Sequence, residues 1–145
     1  MKKVLLVVMV MGLVLFTGCI GEQTLTCTKD ISSSGITMIQ TVNVKFVNNK
    51  VDTMNTTVAV TLPDSYKSYI DTFVSRFNSQ YKSQYGSYEH VKLNTVKKGD
   101  NQIDVNIDFD YKNMTDSEKK GLDLVGSERY SNNKKTLEKQ GFTCK

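Results

Sequence analysis

Three cysteines, one histidine and a row of alternating carboxylates are the residues of this 145-residue chain whose types or spacing can do chemistry. His90 is the only histidine, so any Ser-His-Asp or Cys-His arrangement depends on it. It stands beside Glu89 at the start of an expected strand, where an exposed surface histidine is the ordinary reading. There is no Cys/His cluster with zinc spacing, no H-E-x-x-H and no glycine-rich phosphate loop. Asp104, Asn106, Asp108 and Asp110 alternate along one face of a strand. Alternate strand residues are about 6.6–7 Å apart, too far to close on one ion, and a calcium loop needs a tightly curved backbone with a glycine. A solvated charged face, with Lys92 and Lys98 pairing across to the aspartates, is the expectation. Paired carboxylates for glycoside cleavage stay open, because distance in sequence does not report distance in space. No catalytic residue, metal site or cofactor is therefore assigned.

The cysteines say more. Lys2 and Lys3 precede thirteen residues, Val4 to Phe16, that are apolar apart from one glycine, and Thr17-Gly18 lead into Cys19. That is a secretory signal: a basic start, an apolar run and a small-residue cleavage site. At about 1.5 Å per residue the run spans only two thirds of a ~30 Å hydrocarbon core, which is too short for a transmembrane helix. Phe16-Thr17-Gly18-Cys19 resembles a bacterial lipobox, with Phe16 where the pattern prefers leucine. The resemblance implies that residues 1–18 are a lipoprotein-type signal peptide. Cys19 then carries the lipid, palmitate or a similar acyl chain, and residues 19–23 are a lipidated start and short tether. The alternative is an ordinary cleaved signal with an incidental cysteine. Each buried methylene contributes about 0.8 kcal/mol, so two or three acyl chains hold in practice permanently where one holds marginally. Such a protein is anchored in the cell membrane, facing the extracytoplasmic side.

With Cys19 consumed by lipid, Cys27 and Cys144 remain near the two ends of the domain. In an oxidising compartment a disulfide between them is expected, two buried free thiols being the alternative. Removing 18 of the 145 residues leaves 127, enough for one domain with one core. The formal charge of +4 falls to about +2 without Lys2 and Lys3. No basic run of the kind that nucleic-acid binding needs is present.

The elements that position these residues follow from periodicity. Thr24 to Asp30 reads as a first strand, and Ser32-Ser33-Ser34-Gly35 as a turn. Ile36 to Phe46 and Val51 to Leu62 alternate on either side of Asn48-Asn49-Lys50, an antiparallel hairpin with one buried face. Pro63 ends the strand, and Tyr66, Tyr69, Ile70, Phe73, Phe77, Tyr81 and Tyr85 form one stripe of a helix from Ser65 to Tyr85, with Gly86 as its cap. The stripe reads as the core face of a helix packed on a sheet. Strands return from His90 to Thr95 and from Ile103 to Tyr111 about a turn at Lys97 to Asn101. Thr115-Asp116-Ser117-Glu118 is a capping box for a short helix through Leu122 and Val125 that stops at Gly126. A last helix starts at Ser131 and ends at Gly141, where a Schellman motif would join Leu137 to Phe142 and return Cys144 towards Cys27.

This layout resembles the YehR-like family of small bacterial lipoproteins of unknown function, to which no catalytic motif belongs. The expected fold is α+β: residues 24–145 form a single domain with an antiparallel sheet of four to five strands. One face of that sheet is covered by a long helix and short C-terminal helices. Three functions are compatible. The first is a non-enzymatic, membrane-anchored binding or accessory module of the cell envelope, contacting a neighbouring membrane or envelope protein. The second is a small-ligand carrier with a pocket between helix and sheet, where Tyr66, Tyr69 and Tyr81 line an opening. The third is an envelope hydrolase.

Overall fold

The computed structural model describes residues 21–124 and 128–145. The expected signal segment, Cys19, Ile20 and the expected helix stop at Val125-Gly126 lie outside the described residues. The fold is α+β, built on an antiparallel sheet. Its elements are β1 (Glu22–Asp30), β2 (Thr37–Val47), β3 (Lys50–Thr61), a 3-10 helix (Asp64–Tyr69), α1 (Ile70–Tyr85), β4 (Val91–Lys97), β5 (Gln102–Phe109), α2 (Asp116–Gly121), α3 (Tyr130–Lys139) and β6 (Thr143–Cys144).

Two of the turns explain the hairpins. Asn48 and Asn49 both take positive φ, 52° and 60°, the two-residue connection whose twist suits antiparallel strands, and asparagine tolerates that conformation. Ser34 and Gly35 do the same, at 53° and 78°, between the bridged residues Ser33 and Ile36. The register then places Leu25, Cys27, Val42, Val44, Phe46, Val58, Val60, Ile103, Val105 and Ile107 on one face, all nearly inaccessible to water. α1 lies over this face at β4 and β5, and α3 lies over it at β1 and β6. The core consequently has two centres. One, around Leu62, Ile70 and Ile103, is capped by Phe73 and Phe77; the other, around Phe46 and Phe109, is capped by Tyr81, Tyr85, Tyr130 and Leu137.

The sheet has six strands in the order β4-β5-β3-β2-β1-β6, not four to five. The addition is β6, two residues long and too short for any periodicity to announce. It pairs Cys27 with Cys144 across the edge of β1. Thr26 and Lys145 exchange backbone hydrogen bonds at 2.9 and 3.3 Å, so the cysteines form the adjacent non-hydrogen-bonded pair, in which side chains stand closest. Their Cα atoms are 4.0 Å apart and their sulfurs are bonded, across 117 residues of sequence. At the other end of β1, pairing begins at Glu22 opposite Val47, so Glu22 and Gln23 belong to the sheet and not to a tether.

The long helix from Ser65 to Tyr85 also divides. Asp64–Tyr69 is a 3-10 helix of six residues, and α1 proper is 16 residues long. A 3-10 helix advances about 120° per residue and an α-helix about 100°, so four steps back from Ile70 the stripe has rotated by roughly 80°. Tyr66 leaves the core face for that reason, while Tyr69, next to Ile70, stands about a quarter-turn or more off the stripe in either helix; the two are 45% and 56% exposed. Gly86 follows α1 with φ −67°, not the left-handed cap conformation; a Cβ there would collide with the Lys82 carbonyl oxygen. α2 ends at Gly121, before Leu122, and α3 begins at Tyr130, one residue before Ser131.

Candidate binding surfaces

The face of the sheet turned away from the helices is polar, and its residues form cross-strand rows. Thr26, Asn43, Asn55, Asp108 and Lys92 are successive register partners across five strands. Thr26 Oγ1 donates to Asn43 Oδ1 at 2.8 Å, and Asn55 Nδ2 donates to Asp108 Oδ1 at 2.6 Å. In the next row Thr57 Oγ1 lies 2.8 Å from Asn106 Oδ1. On β5, Asn106 and Asp108 therefore stand in hydrogen-bonded cross-strand rows. Asp104 is near Lys98 at 3.9 Å, whereas Lys92 stands opposite Asp108 in register. Asp110 lies beyond the end of β5 and binds Asn113 through Oδ2 at 2.8 Å. Among the described residues no group of three His, Cys, Asp or Glu side chains is placed to hold a metal ion.

A cavity of about 580 Å³ opens on this face, lined by Asn43, Lys45, Asn55, Lys92, Asp108 and Asp110 with His90 at its edge. It lies beside the register shift at Lys45/Phe46, and such a bulge bends and twists a sheet locally. His90 is not the free surface residue its neighbours in sequence suggest. Its Nδ1 lies 2.9 Å from Glu118 Oε2. Glu118 is also the closing residue of the capping box: Thr115 N donates to Oε2 at 2.8 Å and Glu118 N donates to Thr115 Oγ1 at 3.2 Å. The Thr115 backbone N–H chiefly, and His90 after it, hold the Glu118 carboxyl at about 2, against the partial desolvation that raises it. The capping box is legible in the sequence; its link to His90, 28 residues away, is not.

The tyrosines expected at one opening are separated. Tyr81 stacks between Phe77 and Tyr85, with ring centroids 6.3 and 5.9 Å away, and burial raises its pKa. Tyr66 and Tyr69 stand together near the start of α1, where they line a shallow cleft of about 260 Å³ with Thr72, Phe73 and Arg76. Tyr66 lies 6.5 Å from the Tyr69 ring and edge-on to Phe73 at 6.4 Å. A third hollow, of about 410 Å³, runs between α3 and the sheet. Its floor is Val42, Val44 and Met54, and Thr136, Leu137 and Gln140 form one wall. No sequence signal marks it, because its floor and wall come from separate hairpin and C-terminal segments.

No family model matches the chain, and no curated protein matches it. In fold it is similar to the NMR structure of a protein from Streptococcus pneumoniae TIGR4, with a TM-score of 0.58 and 15% identity over 86% of each chain.

Proposed function

We propose that this chain is an extracytoplasmic module held at a bacterial cell membrane by lipid on Cys19, and that it binds and does not catalyse. The observation that carries the reading is the Cys27–Cys144 bond, which closes the sheet edge only eight residues after the lipobox cysteine. Disulfides of this structural kind belong to oxidising compartments. The near-immediate entry into β1 at Glu22 adds to it, since the described fold starts three residues after Cys19. The resemblance to the YehR-like lipoproteins agrees with the same reading. The partner is a neighbouring membrane or envelope component, reached from a domain seated close to the bilayer.

Intact mass of the detergent-extracted protein tests this. The expected species starts at Cys19 and carries two or three acyl chains, and Cys19→Ala releases the chain from the membrane fraction or leaves its signal uncut. A free Cys19 thiol or an uncleaved Met1 in the wild type would overturn the reading.

A second reading, the small-ligand carrier, is favoured by the hollow between α3 and the sheet. Val42, Val44, Met54 and Leu137 give it an apolar interior and Thr136 and Gln140 a polar rim, the usual make-up of a small-molecule site.

A further inference from the structure

We propose that Tyr66, Tyr69, Phe73 and Arg76 bind a carboxylated sugar ring of a cell-wall glycan. Tyr66 and Tyr69 are the large apolar side chains that remain exposed in the described structure, and both lie in one cleft. Tilted aromatic faces around an open hollow suit the C–H faces of a pyranose. Neither phenol hydroxyl has a hydrogen-bond partner among the described residues, so both are available to sugar hydroxyls.

Charge decides which sugar. Two carboxylates near the cleft are paired, Asp64 with Lys67 at 2.9 Å and Asp71 with Lys97 at 3.1 Å, and the charge of Asp100 falls on Lys67. Arg76 lines the cleft and has no ion-pair partner among the described residues. Its planar fork matches a carboxylate in two parallel hydrogen bonds. An aromatic floor with one uncompensated guanidinium therefore fits a ring bearing an acid better than a neutral sugar, and better than a ring-free polyol phosphate.

Position agrees. β1 enters the sheet at Glu22, paired with Val47, while the cleft follows Thr61 at the opposite end of β3. Eleven steps of about 3.3 Å put the two ends roughly 36 Å apart. Placing the cleft towards the wall rests on the lipid-anchored reading; the cleft's chemistry does not.

The test is calorimetric titration of the full chain in detergent micelles. Three probes are used: glycan strands of alternating N-acetylglucosamine and N-acetylmuramic acid freed of peptide, N-acetylglucosamine oligomers of equal length, and polyglycerol phosphate. The carboxylated glycan is expected to bind at least tenfold more tightly than either control. Tyr69→Ala should weaken it tenfold or more, Arg76→Gln should erase its advantage over the neutral oligomer, and Tyr81→Phe should change nothing. Equal binding of the neutral oligomer, tighter binding of polyglycerol phosphate, no binding at all, or wild-type affinity in Tyr69→Ala and Arg76→Gln would each overturn the proposal. The mass of the same preparation reports lipid on Cys19 separately, so a missing anchor and a missing glycan site are told apart.

Discussion

Glu118 gathers donors from two segments. The Thr115 backbone and hydroxyl reach Oε2 at 2.8 and 3.0 Å, while His90 approaches with its backbone N–H at 3.3 Å and its ring at 2.9 Å. An ionised carboxylate only accepts, so His90 presents Nδ1 protonated and keeps Nε2 for the cavity or solvent. The stability consequence has a definite sign. A carboxyl held at about 2 in the fold, below its ordinary 4.5, stabilises the native state at neutral pH and loses that contribution as pH falls from about 4.5 through about 2. Glu118→Gln keeps a side-chain acceptor for the capping box but removes the charge. Its melting temperature is expected to lie below that of the wild type at pH 7 and to fall less between pH 5 and pH 2. Parallel acid limbs in a thermal-melt series would refute the assignment.

At the scale of elements, the last helix shows what kind of information a sequence carries. Gly141 sits at φ 89°, Phe142 N donates to Leu137 O at 3.1 Å and Gly141 N to Glu138 O at 3.0 Å, the double bond of a Schellman cap. Lys29 of β1 completes this corner by donating to Gln140 O at 2.7 Å. An L side chain in the left-handed region costs about 1–2 kcal/mol, so Gly141→Ala should lower the urea midpoint by that equivalent and loosen the approach to β6. Local chemistry of this sort, with the capping box and the alternation of β2, β3 and β5, was readable residue by residue. What was not readable depends on non-local partners or on subtle changes of pitch. Nothing in Asp64–Tyr69 states that the backbone will wind at three residues per turn, yet that winding turns Tyr66 outward beside Tyr69, away from Tyr81 against the sheet. The two-residue β6 exists because β1 offers an edge and Cys144 a bond, neither of which has a period. The hollows likewise arise from segments far apart in sequence, and no spacing rule reports them.

Across the whole molecule, the Cys27–Cys144 bond closes a loop of 117 residues and holds the C-terminus on β1. In the chain-entropy account such a closure stabilises by about 4–5 kcal/mol. Cys144→Ser is therefore expected to lower the melting temperature by more than ten degrees, with reductant lowering the wild type similarly and leaving the variant unmoved. Differential scanning calorimetry with and without reductant checks this; a variant that melts with the oxidised wild type would deny the bond its role. β1 to β3 also share an axis, β2 running antiparallel to the other two. They run between the end where the chain enters at Glu22 and the end that carries the aromatic cleft, with hydrogen bonds perpendicular to them. If Cys19 carries lipid and Tyr66 and Tyr69 hold a wall polymer, as proposed, a pull between them would be directed along the strands. The β1–β2 and β2–β3 ladders would then be loaded in shear, many bonds sharing the force at once instead of opening one after another like a zip. On those two proposals the domain would serve as a short mechanical link between membrane and wall, loaded along its strands.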